Sequence, residues 1–455
     1  MKTLNQLLLK KNSKKIAIID QETHISYELL NHLSDQWANE LMHHQKVQVG
    51  EVVIIKMSKS WRSIVAMLAV NKARAVYVIL DPLWPMNVVN KIIQDCKAKI
   101  ILENMPTNFN HINISLVKLP VLEERDLCYI YYTSGSTGEK KGASFDHKRA
   151  MNFIKWAQVF FQFSSMDKVA CLSPLSFDVC VLDVFATFNA GATLVIVPDQ
   201  IKLFQKNVKD YLRIQEVSVI QTVPSFWEKI VDINLPTLKK LIFTGQSISK
   251  KFYSDLHSNC DKNYPKSKFY NLYGQTEANS YLCYAFEKEF PVPIAKLPLP
   301  NYVFMREGQL WIKGHSLMRN YLGYDEIVEY NTGDLVSVKN DQLFLEGRWD
   351  NLIKYKGYRI SLEEVEKILN QVVNASCVFF DGKLHAVVES PKDITRTEIE
   401  EKMRSYCKQY LASYQIPEKF IVVDELLKNP NGKIDRKKIK ETFSEKQNDS
   451  IDGDS

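Results

Sequence analysis

Apolar and polar positions follow two rhythms along the chain. Short apolar runs such as Glu51–Met57 (EVVIIKM) and Ala75–Leu80 (AVYVIL) read as buried strands. Between them, Trp61–Lys72 carries apolar residues at helical spacing. Met86–Cys96 does so again, ahead of the strand-like Lys99–Leu102. The alternation returns in Lys168–Pro198, where VACLSP and ATLVIVP flank a helical segment, and again from Val208 to Gly274. Apolar runs joined by helices predict parallel sheets covered by helices.

The texture changes near Gly347. Beyond it come short strands and two amphipathic helices, Ser361–Val372 and Thr395–Tyr410, in a stretch the size of a small α+β domain. The expected fold is α/β, with a large N-terminal domain of helix-covered sheets (residues 1–349) and a small C-terminal α+β domain (350–440). Glu441–Ser455 is polar and acidic, with only Phe443 and Ile451 as large apolar residues, and reads as a disordered tail.

Composition narrows the function classes. The 455 residues exceed a single core. A net charge of +6, with the lysines scattered, fits an anionic nucleotide or an acidic partner protein and is too weak to argue for nucleic acid, so none is expected. The eight cysteines form no C-x-x-C pair and no cluster with histidine, so neither a zinc site nor a disulfide framework is expected, and a reducing cytoplasm fits. No run reaches the length of a membrane span. The opening MKTLNQLLLKKNSKK is too short for a signal-peptide core.

Four segments carry candidate chemistry. Tyr131–Gly142, YYTSGSTGEKKG, follows an apolar run with a glycine-, serine- and threonine-rich loop that ends in lysine. Its N–H groups and hydroxyls can surround an anion, with Lys141 adding charge; a surface turn is the plain alternative. Asn271–Glu277, NLYGQTE, offers an aromatic face in Tyr273, a hydroxyl in Thr276 and a hard oxygen ligand in Glu277, or else an ordinary turn with a core tyrosine. Tyr330–Leu335, YNTGDL, presents Asp334 either to its own backbone or to two ribose hydroxyls. Downstream lie Arg348 and the basic KYKGYRI. Asn429–Arg436, NPNGKIDR, contains a hairpin signal at Asn431-Gly432 followed by Lys433.

In this order and spacing the set resembles the superfamily of acyl- and aminoacyl-adenylate-forming enzymes, from about Tyr27 to Arg436. Its members include nonribosomal peptide synthetase adenylation domains, acyl-CoA ligases and D-alanine–carrier protein ligases. The resemblance implies ATP and Mg²⁺ as cofactors. Thr133, Ser134, Gly135, Ser136, Thr137 and Gly138, with Lys141, would hold the β- and γ-phosphates. Asn271, Leu272, Tyr273, Gly274, Gln275 and Thr276 would frame adenine and the α-phosphate, with Glu277 near Mg²⁺ and Gly245 close to the adenine. Asp334 would bind the ribose with support from Arg348. Asp350 would be a hinge, Gly357 would line a thiol tunnel, and Lys433 would bridge the substrate carboxylate and the nucleotide.

The same resemblance sets the substrate. In amino-acid-activating members an Asp directly after Phe binds the substrate ammonium, and Asp178 in Ser176–Asp183 (SFDVCVLD) matches it; the alternative is that Asp178 caps a helix Val179–Asn189. The implied pocket is Val179, Leu182, Phe226, Ile242, Thr244, Leu272, Ser280 and Tyr281. A charged substrate side chain would lie there unpaired, so a small neutral amino acid is expected. The thiol acceptor would be the phosphopantetheine of a separate carrier protein; an acyl-CoA synthetase for a non-amino acid, or a catalytically silent nucleotide-binding homologue, is the competing reading. The chain departs from the family pattern at Lys140, at Gln275, in Gly245-Gln246-Ser247, at Ala295, and in Lys72 to Ala75, which lacks the usual glycines. All five read as drift in the scaffold.

Overall fold

A computed structural model describes residues 2–8, 14–106, 119–134, 140–279, 282–287, 289–300, 302–314, 317–348, 352–389, 396–427 and 434–448. The chain divides into two compact units. One comprises Met1–Pro82, Ile93–Tyr132 and Gly142–Trp349; the other comprises Leu83–Ile92, Thr133–Lys141 and Asp350–Ser455.

The apolar runs become strands of two large sheets. In the eight-stranded sheet the order is Leu282–Phe286, Lys268–Tyr273, Lys240–Thr244, Val219–Thr222, Lys168–Cys171, Thr193–Ile196, Ile16–Asp20 and Thr23–Ser26. All neighbours from Lys268–Tyr273 to Ile16–Asp20 run parallel, and the two edge strands are antiparallel. A six-stranded sheet has the order Asn320–Tyr321, Lys140–Asp146, Leu127–Ser134, Val76–Ile79, Val52–Ile55 and Ile100–Leu102. An antiparallel five-stranded sheet, Ala295–Lys296, Gln342–Arg348, Glu329–Lys339, Gln309–Lys313 and Val303–Arg306, follows them in the chain.

The helix Trp61–Lys72 shows why the first core is dense. Its residues from Ser63 to Lys72 are all buried, and its start is closed by the Ser60–Ser63 capping box. At its end Lys72 is buried too. Desolvation lowers its pKa, and Asp35, whose Oδ1 lies 2.6 Å from Nζ, acts in the opposite direction. The turn that lacks the usual glycines places Arg74 in the left-handed region (φ 58°), and its guanidinium is held by Asp126 and Glu123.

In the second unit the hairpin Leu352–Tyr355 and Tyr358–Ser361 turns through Lys356 (φ 51°) and Gly357 (φ 87°). Two positive φ values suit a tight two-residue connection. Ser361 caps the helix Leu362–Leu369 by accepting from Glu364 N–H. The sheet Ala375–Phe380, Lys383–Glu389 and Lys419–Val423 packs with this helix and Arg396–Tyr410 around Ile360, Val365, Leu369 and Met403. The final helix, Arg436–Asn448, extends into the stretch expected to be disordered. Ile439 is buried, and Phe443 packs beside the Val378, Phe380 and Leu426 cluster, which gives the polar helix an apolar anchor.

Candidate active site

Open parallel sheets present ligands at the carboxyl ends of their strands. Lys240–Thr244 and Lys268–Tyr273 are neighbours, with Thr244 opposite Leu272. Their continuations, Gly245 and the segment Gly274-Gln275-Thr276-Glu277, therefore leave the sheet from adjacent strand ends. Gly245 has φ 76°, a conformation that favours glycine. Asn271 spends its amide on the Pro293 carbonyl at 2.8 Å, which ties this strand to the segment after the cis Phe290-Pro291 bond.

Asp334 is a node of polar contacts. It lies on the strand Glu329–Lys339, directly across from Arg348 on Gln342–Arg348, so the TGD turn and the following arginine meet by strand register. Arg348 Nη1 donates to Asp334 Oδ1 at 2.7 Å. Asp334 Oδ2 accepts from Gln275 Nε2 at 2.7 Å and from the Tyr273 hydroxyl. The other Gln275 contact goes to the Thr332 carbonyl at 2.8 Å. Tyr273 itself is buried among Ala278, Leu282 and Ile294, so its ring belongs to the core and its hydroxyl reaches the carboxylate. Gln275 is thus an element of the site and not scaffold drift.

A pair of carboxylates, Glu277 and Asp178, lies in the same unit. Glu277 is buried on the short turn Thr276–Ala278, and its Oε1 accepts from the Tyr321 hydroxyl at 2.8 Å. Asp178 is pushed up to about 6 by burial and then by the Glu277 charge, against hydrogen bonds from the Thr276 side chain and from the backbone N–H groups of Asp178 and Val179. The side chain accepts from its own N–H and that of Val179, which precede the helix beginning at Cys180, and its charge stands against another carboxylate. Two like charges in a desolvated place favour a cation between them.

The expected pocket positions separate into two groups. Ile242 and Leu272 share a core with Leu182. Thr244, buried opposite Leu272, continues that strand face. Val179 is half-buried beside Asp178. Phe226, on the turn Pro224–Trp227, packs instead against the other core with Trp227 and Phe243. Ser134 ends the strand Leu127–Ser134 next to buried Thr133, and Lys141 is the second residue of the neighbouring strand Lys140–Asp146. The last glycine of that motif has a packing role, since a Cβ on Gly142 would lie 2.9 Å from Ile130 Cγ2. Gly135, Ser136, Thr137, Gly138, Ser280, Tyr281, Asp350 and Lys433 lie outside the described residues, as does the side chain of Ser134.

Two residues had no role in the sequence reading. The helix after Asp178 begins at Cys180 and contains a π turn over Leu182–Ala186, a feature frequent at functional sites. Asp183 sits inside it, buried, with Oδ2 unpartnered. Gln221, oriented to satisfy both groups, donates to Asp183 Oδ1 at 2.9 Å and to the Val179 carbonyl at 3.2 Å. This clamp ties the π turn to the backbone next to Asp178. Burial holds the Asp183 carboxyl well above the usual carboxylate range, opposed only by Lys59. Its one sequence signal is a carboxylate inside the apolar run VCVLDVFA.

Asp183→Asn is therefore expected to keep stability within about 1 kcal/mol of the parent, because a neutral carboxyl and a carboxamide are alike here. Asp183→Ala, which strands the Gln221 amide, costs about 1–3 kcal/mol. The sign with pH follows from the raised folded pKa. The folded chain keeps this proton where the unfolded chain has lost it, so the contribution is full below about pH 4 and is lost as pH rises. Urea unfolding at several pH values checks both: the Asn variant loses that share of the slope.

The AMP-binding enzyme family matches residues 7–322. The chain is 29% identical to an L-proline–[L-prolyl-carrier protein] ligase of Pseudomonas fluorescens, covering 96% of this chain and 98% of that protein. It is 27% identical to a D-alanine–D-alanyl carrier protein ligase of Staphylococcus haemolyticus, covering 95% and 97%. In structure it superimposes on the Vibrio cholerae adenylation domain AlmE, solved with glycyl-adenosine-5'-phosphate, with a TM-score of 0.80 over 97% of each chain at 18% identity, a likeness of fold. The protein belongs to the AMP-binding enzyme family and has the adenylate-forming fold. Among the described residues no helix is long and apolar enough to cross a membrane.

Proposed function

We propose that this protein activates a small neutral amino acid with ATP and passes it to the phosphopantetheine thiol of a separate carrier protein. The observation that carries the reading is Asp178, a carboxylate raised to about 6 beside Glu277, in the same unit as the apolar face of Leu182, Ile242 and Leu272. That combination suits an ammonium on a small neutral side chain. The carrier ligases among the relatives, for proline and D-alanine, support the substrate class.

In the first half-reaction the amino acid carboxylate attacks the α-phosphorus of ATP, forming a C–O–P bond while pyrophosphate leaves. In the second, the carrier thiolate attacks the acyl carbon, and AMP leaves. Asp178 holds the ammonium, and Asp334 with Arg348 holds the ribose. Lys141 and the loop 133–138 receive the phosphates. Lys433 brings positive charge to the meeting of two anions, where electrostatic stabilisation lowers the barrier most. Asp350 is the hinge at which residues 350–440 turn between the two steps, and Gly357 lines the thiol path.

The residues fit Mg²⁺. Glu277 is a hard oxygen ligand, buried, and close enough to a second carboxylate to raise its pKa. Mg²⁺ is commonly held by one or two carboxylates together with substrate phosphates and water. Bound there, the ion would neutralise phosphate charge.

The test is ATP–pyrophosphate exchange measured across the proteinogenic amino acids, D-alanine, and simple fatty and aryl acids. Exchange with one small neutral amino acid and silence with the fatty and aryl acids is the expected pattern. Exchange confined to acids without an amino group sinks the proposal.

A further inference from the structure

Gln275 stands where proline is the more usual residue of this motif, and it does something proline cannot. Both N–H donors of its amide are used, one by the Thr332 carbonyl at 2.8 Å and one by Asp334 Oδ2 at 2.7 Å, while its Oε1 is buried without a partner. Gln275, Thr332 and Asp334 are all buried. An ionised carboxylate offers about four lone-pair sites on its two oxygens. On Asp334, Oδ2 already accepts two donors, Gln275 Nε2 and the Tyr273 hydroxyl. Oδ1 accepts Arg348 Nη1 at 2.7 Å. That leaves one site, on Oδ1, for a ligand.

A ribose presents two adjacent hydroxyls. A carboxylate with a free site on each oxygen can accept from both at once. Asp334 can accept strongly from only one while Gln275 is in place. We propose that Gln275 is a positioning residue that makes Asp334 a single-hydroxyl acceptor, so that the two sugar hydroxyls of the nucleotide are read unequally. The inference rests on the nucleotide-binding reading above and goes beyond it by stating how the sugar is recognised. The structural basis is local. The carboxamide bridges the carbonyl of Thr332 and the carboxylate two residues later, so it fixes the side-chain rotamer of Asp334 as well as occupying its lone pair. A ligand hydroxyl therefore meets a carboxylate that is already oriented and partly filled.

The experiment is calorimetric titration of the full-length protein with Mg²⁺ and three nucleotides: ATP, 2'-deoxy-ATP and 3'-deoxy-ATP. In the wild type, loss of one hydroxyl is expected to weaken binding by about 10–100-fold, the range of a hydrogen bond to a charged group, and loss of the other by less than about threefold. Gln275→Met keeps the bulk of the side chain and removes the donor. In that variant the second lone pair is free, and the two deoxy penalties are expected to converge to within about threefold of each other. Gln275→Ala repeats the test with a different packing, and thermal melting establishes that each variant is folded. A residue that only supported the fold would change ATP affinity without changing the ratio between the two deoxy nucleotides. Equal penalties in the wild type, or an inequality that survives intact in both folded variants, overturn the proposal. Absence of ATP binding by the wild type is a separate result: it removes the nucleotide reading itself, and the inference with it.

Discussion

Asp178→Ala is expected to lower kcat/KM for the amino acid in ATP–pyrophosphate exchange by about 10²–10³-fold, while ATP binding measured alone stays within about threefold. The magnitude follows from leaving a buried charge without its partner, which costs about 3–5 kcal/mol. Here the stranded charge is the substrate ammonium. The same residue sets a pH dependence. In the ligand-free protein burial and the Glu277 charge push Asp178 up to about 6. As the medium acidifies through its raised range the side chain becomes neutral and cannot pair with an ammonium, so kcat/KM for the amino acid falls on the acid side of its plateau. The sign is fixed by the direction of the shift: a raised carboxylate is protonated first as the medium acidifies. ATP affinity, titrated separately, lacks the limb that Asp178 imposes. An exchange rate that is unchanged by Asp178→Ala would remove the residue from substrate binding and leave it a helix cap.

Asp334→Asn is the second large effect. The substitution keeps the size of the side chain and removes the charge that Arg348, Gln275 and Tyr273 all donate to. Arg348 and Asp334 are a largely buried pair, with side chains 11% and 1% exposed. Breaking one member of such a pair costs about 3–5 kcal/mol. The expected outcome is a lower melting temperature together with a KM for ATP raised by about 100-fold, each hydrogen bond from a ligand hydroxyl to a charged acceptor being worth about 1.5–3 kcal/mol. The KM for the amino acid, measured at saturating ATP, is expected to change little. A variant with lower stability and an unaltered KM for ATP would show Asp334 to be a structural ion pair only.

Much of the framework was legible in the sequence, because strands buried on both faces and helices of one apolar stripe leave strong periodic traces. Trp61–Lys72 and Met86–Cys96 are helices over the expected residues. The ordered motifs also located Asp334 and Arg348 together, and the strand register explains why they meet. What the sequence could not show depends on distant partners. Gln275 looked like drift because its partners, Thr332 and Asp334, lie 57 and 59 residues away. Asp183 looked like one more helical position because the π turn that buries it has no local signature. Tyr273 carried two readings, an adenine-facing ring or a core tyrosine; its ring is packed, and its hydroxyl reaches Asp334 across 61 residues of sequence. Phe226 packs against the core of Trp227 and Phe243, while Ile242 and Leu272 belong to another, a division with no trace in local sequence. The closing helix reaches Asn448, docked through buried Ile439 and through Phe443, two apolar residues in an otherwise polar segment.

The widened turn at Leu182–Ala186 has a consequence for anyone redesigning the specificity of this enzyme. A π turn is a regular helix with one residue too many. Removing a single residue there would let the helix relax to ordinary winding without breaking either end. Chain length at this turn thus bears on the placement of Val179 and its neighbour Asp178, which the Gln221 clamp ties to the π turn, and libraries that vary side chains alone leave it untouched.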